Sequence, residues 1–164
     1  MTYRILTICT GNICRSPMAE VVLADKLTEA GLDVEVDSAA VTAYEVGNPI
    51  DYRAAKTLRR AGYDVPDRQA RRVTPEDFDD FDLILPMTQQ HSQELSRLAR
   101  RWGRAGGLAE TQLFRTFTDE YLSGESTELD VPDPWYGSEA DFVETLEIIE
   151  SAVPAIIDHV ARSV

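Results

Sequence analysis

Apolar residues along the chain change their period several times, and each change marks an element. Tyr3 to Ile8 is short, largely apolar and bounded by a glycine-containing turn, which predicts a buried strand. Ala19, Val22, Leu23, Leu27 and Ala30 then recur at helical spacing. Ser16 stands where an N-cap is expected, Pro17 at the first helical position and Gly31 at the stop. Val34 to Val36 predicts a second, short strand, and Asp51 to Ala61 a helix with Ala54, Ala55, Leu58 and Ala61 inward and Gly62 ending it. Phe81 to Leu85 predicts a third strand, followed by a helix carrying Leu95, Leu98 and Trp102; Gln112 to Phe114 predicts a fourth strand. Thr118 to Gly137 is acidic and holds Pro132 and Pro134, as a long loop does. The last helix presents Phe142, Leu146, Ile149, Val153, Ile156 and Val160, with a kink expected at Pro154.

Strands alternating with helices predict an α/β fold, a parallel sheet covered on both faces, in one domain over residues 1–164. Ligands of such sheets bind beyond the carboxyl ends of the strands, near the point where the strand order reverses. The segment from Cys9 to Arg15 follows the first strand and therefore belongs to that edge.

The hydrophobic fraction of 43% fits a globular protein with a real core. With 16 basic and 29 acidic side chains, the net charge is −13. That field repels nucleic acid and anionic membranes, so neither is expected as a partner. It also opposes phosphate binding, so a phosphate site here must use backbone donors and a few placed cations. Met1-Thr2-Tyr3-Arg4 leads straight into the first strand, without a charged leader or long apolar stretch; a cytoplasmic protein is expected. Two cysteines make no disulfide framework, and Cys9, Cys14, His91 and His159 match no familiar zinc spacing. Both histidines are far from Cys9 in sequence, so nothing local supports a Cys-His pair.

The loop Cys9-Thr10-Gly11-Asn12-Ile13-Cys14-Arg15 carries the candidate chemistry. Cleaving a phosphate ester with a thiol requires a thiolate, converging N–H groups and a cation matched to the phosphoryl oxygens. A helix N-terminus and a nearby cation favour the thiolate, and Cys9 has both by position. Gly11 is expected to let the backbone turn its N–H groups inward as an anion nest, reinforced by the helix dipole. Arg15 offers a planar fork to two oxygens, and Ser16 a hydroxyl to the sulfur as well as a helix cap. Separately, a buried small cysteine and a surface arginine would be ordinary; a strand, Cys-x5-Arg-Ser, a proline and a helix in that order are not. Cys14 either lines the loop or pairs with Cys9 in a reversible disulfide.

A departing phenolate needs a proton donor. Asp133 in Val131-Pro132-Asp133-Pro134-Trp135-Tyr136-Gly137 stands out, because two prolines stiffen its backbone and two aromatics follow that can wall an aryl group. The alternative is a turn aspartate between prolines.

Cys9 to Pro17 together with Asp133 to Gly137 resembles the low-molecular-weight protein tyrosine phosphatases of bacterial type. The resemblance extends over nearly the whole chain through Asp37-Ser38-Ala39, Val46-Gly47-Asn48-Pro49, Thr74 to Phe78 and the Asp141-Phe142 helix. It implies a flavodoxin-like domain with a four-stranded parallel sheet, hydrolysing phosphotyrosine on protein substrates and small aryl phosphates. By the resemblance, Cys9 is the nucleophile of a phosphocysteine intermediate, Arg15 binds the phosphoryl group, and Asp133 is general acid and then base. Thr10, Gly11, Asn12, Ile13, Cys14 and Ser16, with Ser38, form and brace a loop that accepts phosphate or sulfate-like anions. Ile13, Tyr44, Trp135 and Tyr136 match the rim that meets the substrate ring. No metal or other cofactor is implied. Four positions depart from the family pattern: Arg68 replaces a histidine of the bracing network, Thr88 an acidic residue, Ala40 a glycine, and Trp135 a tyrosine. A thiol-coupled arsenate reductase of the same fold would need further cysteines, and none follows Cys14. A phosphotyrosine-binding module that has lost turnover is the rival from another class.

Overall fold

The structure, a computed structural model, describes residues 2–107 and 109–164. Strands β1 (Tyr3–Cys9), β2 (Val34–Ala40), β3 (Leu83–Pro86) and β4 (Glu110–Thr111) form one parallel sheet in the order β2-β1-β3-β4. Side chains of β1 alternate between two cores. Ile5 and Cys9 join one with Met18, Leu23, Phe114 and Phe142, while Leu6 and Ile8 join the other with Phe78, Ile84 and Leu95. The first core is roofed by α1 (Arg15–Glu29), α2 (Tyr52–Arg60), α6 (Glu139–Ser151) and α7 (Val153–Ser163). The second is roofed by α3 (Asp77–Asp80) and α4 (Gln89–Arg101). The chain leaves β1 toward β2 on one side and returns to β3 on the other, so the order reverses between β1 and β3. No helix among the described residues is long and apolar enough to cross a membrane.

The expected α/β architecture is present, with shifted boundaries. β2 runs four residues past Val36, because Asp37, Ser38, Ala39 and Ala40 pair with Leu6 to Cys9 despite breaking the apolar run. β3 begins at Leu83 rather than Phe81, since Phe81 closes α3 and the Asp82 carboxylate accepts from the Arg4 amide at 2.8 Å. β4 lies at Glu110–Thr111 and not at 112–114; the buried Phe114 opens a 3-10 turn, Phe114–Phe117. Ala30 and Ala61 sit beyond their helices and are exposed. The acidic segment 118–137 contains α5 (Asp119–Ser123) and a 3-10 turn at Pro134–Tyr136. The C-terminal helix breaks into α6 and α7 at Ala152, with Pro154 in the first turn of α7, where its missing N–H sacrifices no helical bond.

α1 starts at Arg15 with Cys14 as its N-cap, so Ser16 lies inside the helix and does not cap it. The Thr7 hydroxyl holds the Ser16 carbonyl at 2.8 Å, fixing the helix start against β1. The Ser16 side chain is thereby free to face the sulfur of Cys9.

Candidate active site

At the carboxyl edge of the sheet, a cleft of about 180 Å³ is lined by Cys9, Thr10, Gly11, Ile13, Cys14 and Arg15 from the loop. Tyr44 and Glu45 wall it from the β2–α2 connection, and Asp133, Trp135 and Tyr136 from the segment before α6. Asn12, Ser16 and Ser38 lie fully buried beneath it. Every site residue expected from sequence is therefore in the wall of this cleft or directly behind it.

Asn12 organises the loop. Its φ of 62° is the left-handed conformation that asparagine tolerates better than most residues. Asn12 supplies the left-handed turn of the loop, and a Cβ at Gly11 would stand 3.0 Å from Glu45 Cγ, a tight contact that the Glu45 side chain would have to yield to. The Asn12 amide nitrogen donates to Ser16 Oγ and Ser38 Oγ, both at 2.8 Å. Its side-chain oxygen accepts from Arg71 N at 3.1 Å and from the Arg68 guanidinium. Ser16 Oγ lies 3.0 Å from Cys9 Sγ, within reach to donate its proton to the sulfur while it accepts from Asn12. The Asn12 backbone N–H donates to the same sulfur at 3.3 Å. Arg68 also donates to the Asn12 carbonyl at 2.8 Å and to Ser38 Oγ at 3.2 Å, and Ser38 donates to Glu20. Burial pushes the Glu20 carboxyl up and the Arg68 guanidinium down, while the charge of each favours the ionised form of the other.

The two cysteines are free, buried thiols. Burial raises the Cys14 thiol well above its ordinary range, and the Asp51 carboxylate, Cys9 and Asp133 push it the same way against Arg53. Cys14 is thus held as a neutral thiol. Arg15, also buried, donates from Nη1 to the Val131 carbonyl at 3.0 Å and faces Asp133 Oδ2 from Nη2 at 3.5 Å. Val131 is tied to the end of β3 through its N–H to the Met87 carbonyl at 2.9 Å. Asp133 Oδ1 accepts from Trp135 N at 3.1 Å. The Trp135 and Tyr136 rings meet edge to face with centroids 5.0 Å apart. Tyr44 and Tyr136 are more than four-fifths exposed, so they form a rim and not a core. Gly137 is demanded by the Asp141 carboxylate that caps α6, into which a Cβ would run.

Over residues 4–164 the sequence matches the family model for low molecular weight phosphotyrosine protein phosphatase. The chain belongs to this family. It is 38% identical to a low molecular weight protein-tyrosine-phosphatase of Streptomyces coelicolor, with 100% of this chain and 97% of the relative covered. A protein tyrosine phosphatase structure from Entamoeba histolytica, with Hepes in its active site, superposes with TM-score 0.84 at 30% identity, covering 99% of both chains. A Drosophila arginine phosphatase superposes with TM-score 0.85 at 26% identity, covering 94% of this chain and 96% of that one.

Against the phosphatase pattern, the Arg68 departure is filled in kind: the guanidinium makes the bracing contacts to Asn12 and Ser38. Thr88 caps α4 by accepting from His91 N at 3.1 Å. Sequence reasoning missed Glu45, Glu20, Arg71 and His91. His91 is 81 residues from Thr10, yet its Nε2 lies 2.8 Å from the Thr10 hydroxyl in the loop. The available signal was its place in the first turn of a helix following β3, which puts it at the carboxyl edge.

Burial, reinforced by the Arg15 charge and opposed by Asp130, lowers the His91 pKa from 6.5 to about 3. The unfolded chain takes up this proton below 6.5 and the folded chain does not, so the contribution to stability is complete above 6.5 and is lost as pH falls toward about 3. Between pH 7 and pH 5 the loss is about 2 kcal/mol. Urea unfolding at the two pH values should show it in the wild type and not in His91→Gln; equal pH dependence in both would contradict a neutral buried His91.

Proposed function

We propose that this chain is a protein tyrosine phosphatase acting through a phosphocysteine intermediate. The observation that supports this best is the convergence of Cys9, Arg15 and Asp133 on one cleft with an aromatic rim. The phosphate of the substrate is seated by N–H groups of the loop and the first turn of α1, with the Arg15 fork on its oxygens. The Cys9 thiolate attacks phosphorus in line with the phenolic oxygen; the S–P bond forms as the P–O bond breaks. The departing oxygen takes the bond's electron pair and a proton from Asp133. Asp133, now a carboxylate, takes a proton from water as that water attacks phosphorus. The S–P bond then breaks and its pair returns to Cys9 sulfur, where the Ser16 hydroxyl and Asn12 N–H donate to it. Asn12, Ser38 and Arg68 keep the loop in shape through both steps, and no step calls on a metal.

Ile13, Tyr44, Trp135 and Tyr136 flank the path to the sulfur and suit the flat ring of phosphotyrosine on a protein. Phosphate and sulfate-like anions occupy the loop on the same donors. Because an arginine phosphatase shares the fold, the test compares phosphotyrosine, phosphoserine and phosphoarginine peptides in the presence of a chelator. Phosphotyrosine should be hydrolysed fastest, at a rate the chelator leaves unchanged. Faster cleavage of phosphoarginine would overturn the substrate assignment, and no turnover with anion binding retained would leave the binding-module reading.

A further inference from the structure

Arg53 belongs to none of the roles above, yet it touches both halves of the site. Asp51 begins α2 as its N-cap, and its own backbone N–H donates to the carbonyl of Ile13, inside the phosphate loop, at 2.9 Å. The Asp51 carboxylate accepts from Arg53 N at 2.8 Å and from Nε and Nη2 at 3.1 Å each, a forked pair with little rotational freedom. The guanidinium lies 4.7 Å above the Phe142 ring of α6. One remaining N–H group, on Nη1, donates to the carbonyl of Trp135 at 3.2 Å. The N–H of that same residue donates to Asp133 Oδ1. Trp135 is therefore held at its carbonyl by Arg53 while its amide holds the carboxylate.

We propose that Arg53 is a positioning residue that, anchored by Asp51 to the phosphate loop, holds the Trp135 backbone and through it aims the Asp133 carboxyl at the leaving oxygen. The chain of contacts runs from Ile13 through Asp51 and Arg53 to Trp135 and Asp133, so the loop that binds phosphate sets the place of the proton donor. This matters because the segment carrying Asp133 has no long element of its own: only the short Pro134–Tyr136 turn follows the carboxylate. A lysine could not fork Asp51 and reach Trp135 together. A misplacement of about 1 Å at a reacting group can cost on the order of 10²-fold in rate. The inference rests on the acid role proposed for Asp133.

The test measures kcat/KM, which reports thiolate attack and phenol departure, for aryl phosphates whose phenols range from weakly to strongly acidic. Arg53→Met keeps an apolar stem over Phe142 and removes the fork. It should lose roughly 10- to 100-fold on phenyl phosphate and less than about threefold on the most acidic phenol. Its inhibition by inorganic phosphate should stay within about twofold of wild type, because the anion loop is untouched. Arg53→Lys should fall between, and Arg53→Met added to Asp133→Asn should cost little beyond Asp133→Asn alone. A loss equal across phenols, a weakening of phosphate inhibition in step with kcat/KM, or additivity in the double variant would each overturn the proposal. The two failures are separable. If Asp133→Asn itself shows no dependence on the phenol, the acid reading falls and takes this inference with it. If Asp133→Asn shows that dependence and neither Arg53 variant does, only the role of Arg53 falls.

Discussion

Replacing Cys9 with serine should lower turnover on phosphotyrosine by about 10⁴-fold or more, while inorganic phosphate still binds. In the proposed mechanism the anion is held by loop N–H groups and by Arg15, and the substitution removes none of them. The bracing network survives as well, because Asn12 keeps its bonds to Ser16 and Ser38 whatever atom Cys9 carries. What disappears is the sulfur toward which Ser16 and the Asn12 amide are turned. A serine hydroxyl at neutral pH is protonated and a much weaker nucleophile. The check is steady-state turnover beside calorimetric phosphate binding. Turnover near the wild-type level would remove Cys9 from the chemistry; joint loss of turnover and binding would show that the substitution had damaged the loop.

Asp133→Asn should lower kcat/KM on phenyl phosphate by about 10²- to 10⁴-fold, the range that a positioned acid supplies. The asparagine amide can still accept from the Trp135 N–H, so the turn stays formed, but it has no proton to give. The loss should shrink steadily as the phenol becomes more acidic, because such a leaving group departs as the anion. Binding of phosphate should change by no more than about twofold, since the substitution leaves the loop donors and Arg15 in place. A series of aryl phosphates reads the effect. A loss independent of the phenol would take the acid role from Asp133.

Much of this site could be read before any coordinates. Cys9 to Pro17 is contiguous, and the strand before it and the helix after it place it by local rules alone. Asp133 is remote in sequence but marked by its prolines and aromatics. The parallel fold followed from the alternation of strand and helix periods. What stayed hidden has a common cause: contacts made by polar side chains between distant segments leave no periodicity. Arg53 reads as the exposed face of α2, His91 as one more polar residue at a helix start, and Glu20 as a surface charge. Boundaries failed where polar residues pair in the sheet, as at Asp37 and Ser38, or where an apolar residue serves a turn, as at Phe114. The sequence points to Gly11 for the turn of the loop. The loop does need an unusual backbone conformation, but Asn12 supplies it because its side chain is also the network's hub.

A net charge of −13 does not bar a phosphate from this cleft. In the proposed site the anion would meet a buried arginine, a helix N-terminus and loop amides at close range. Over that distance local donors outweigh a field that salt screens.

Chemical trapping shows directly whether phosphorus passes through Cys9. The enzyme is mixed with a phosphotyrosine peptide, denatured within the first turnovers, and digested for mass spectrometry of the peptide spanning Cys9 and Cys14. A phosphoryl group on the Cys9 sulfur, absent from Cys9→Ser, is the predicted result. Rapid hydrolysis with no phosphorylated Cys9 at any quench time, or a phosphoryl group carried elsewhere, would contradict it.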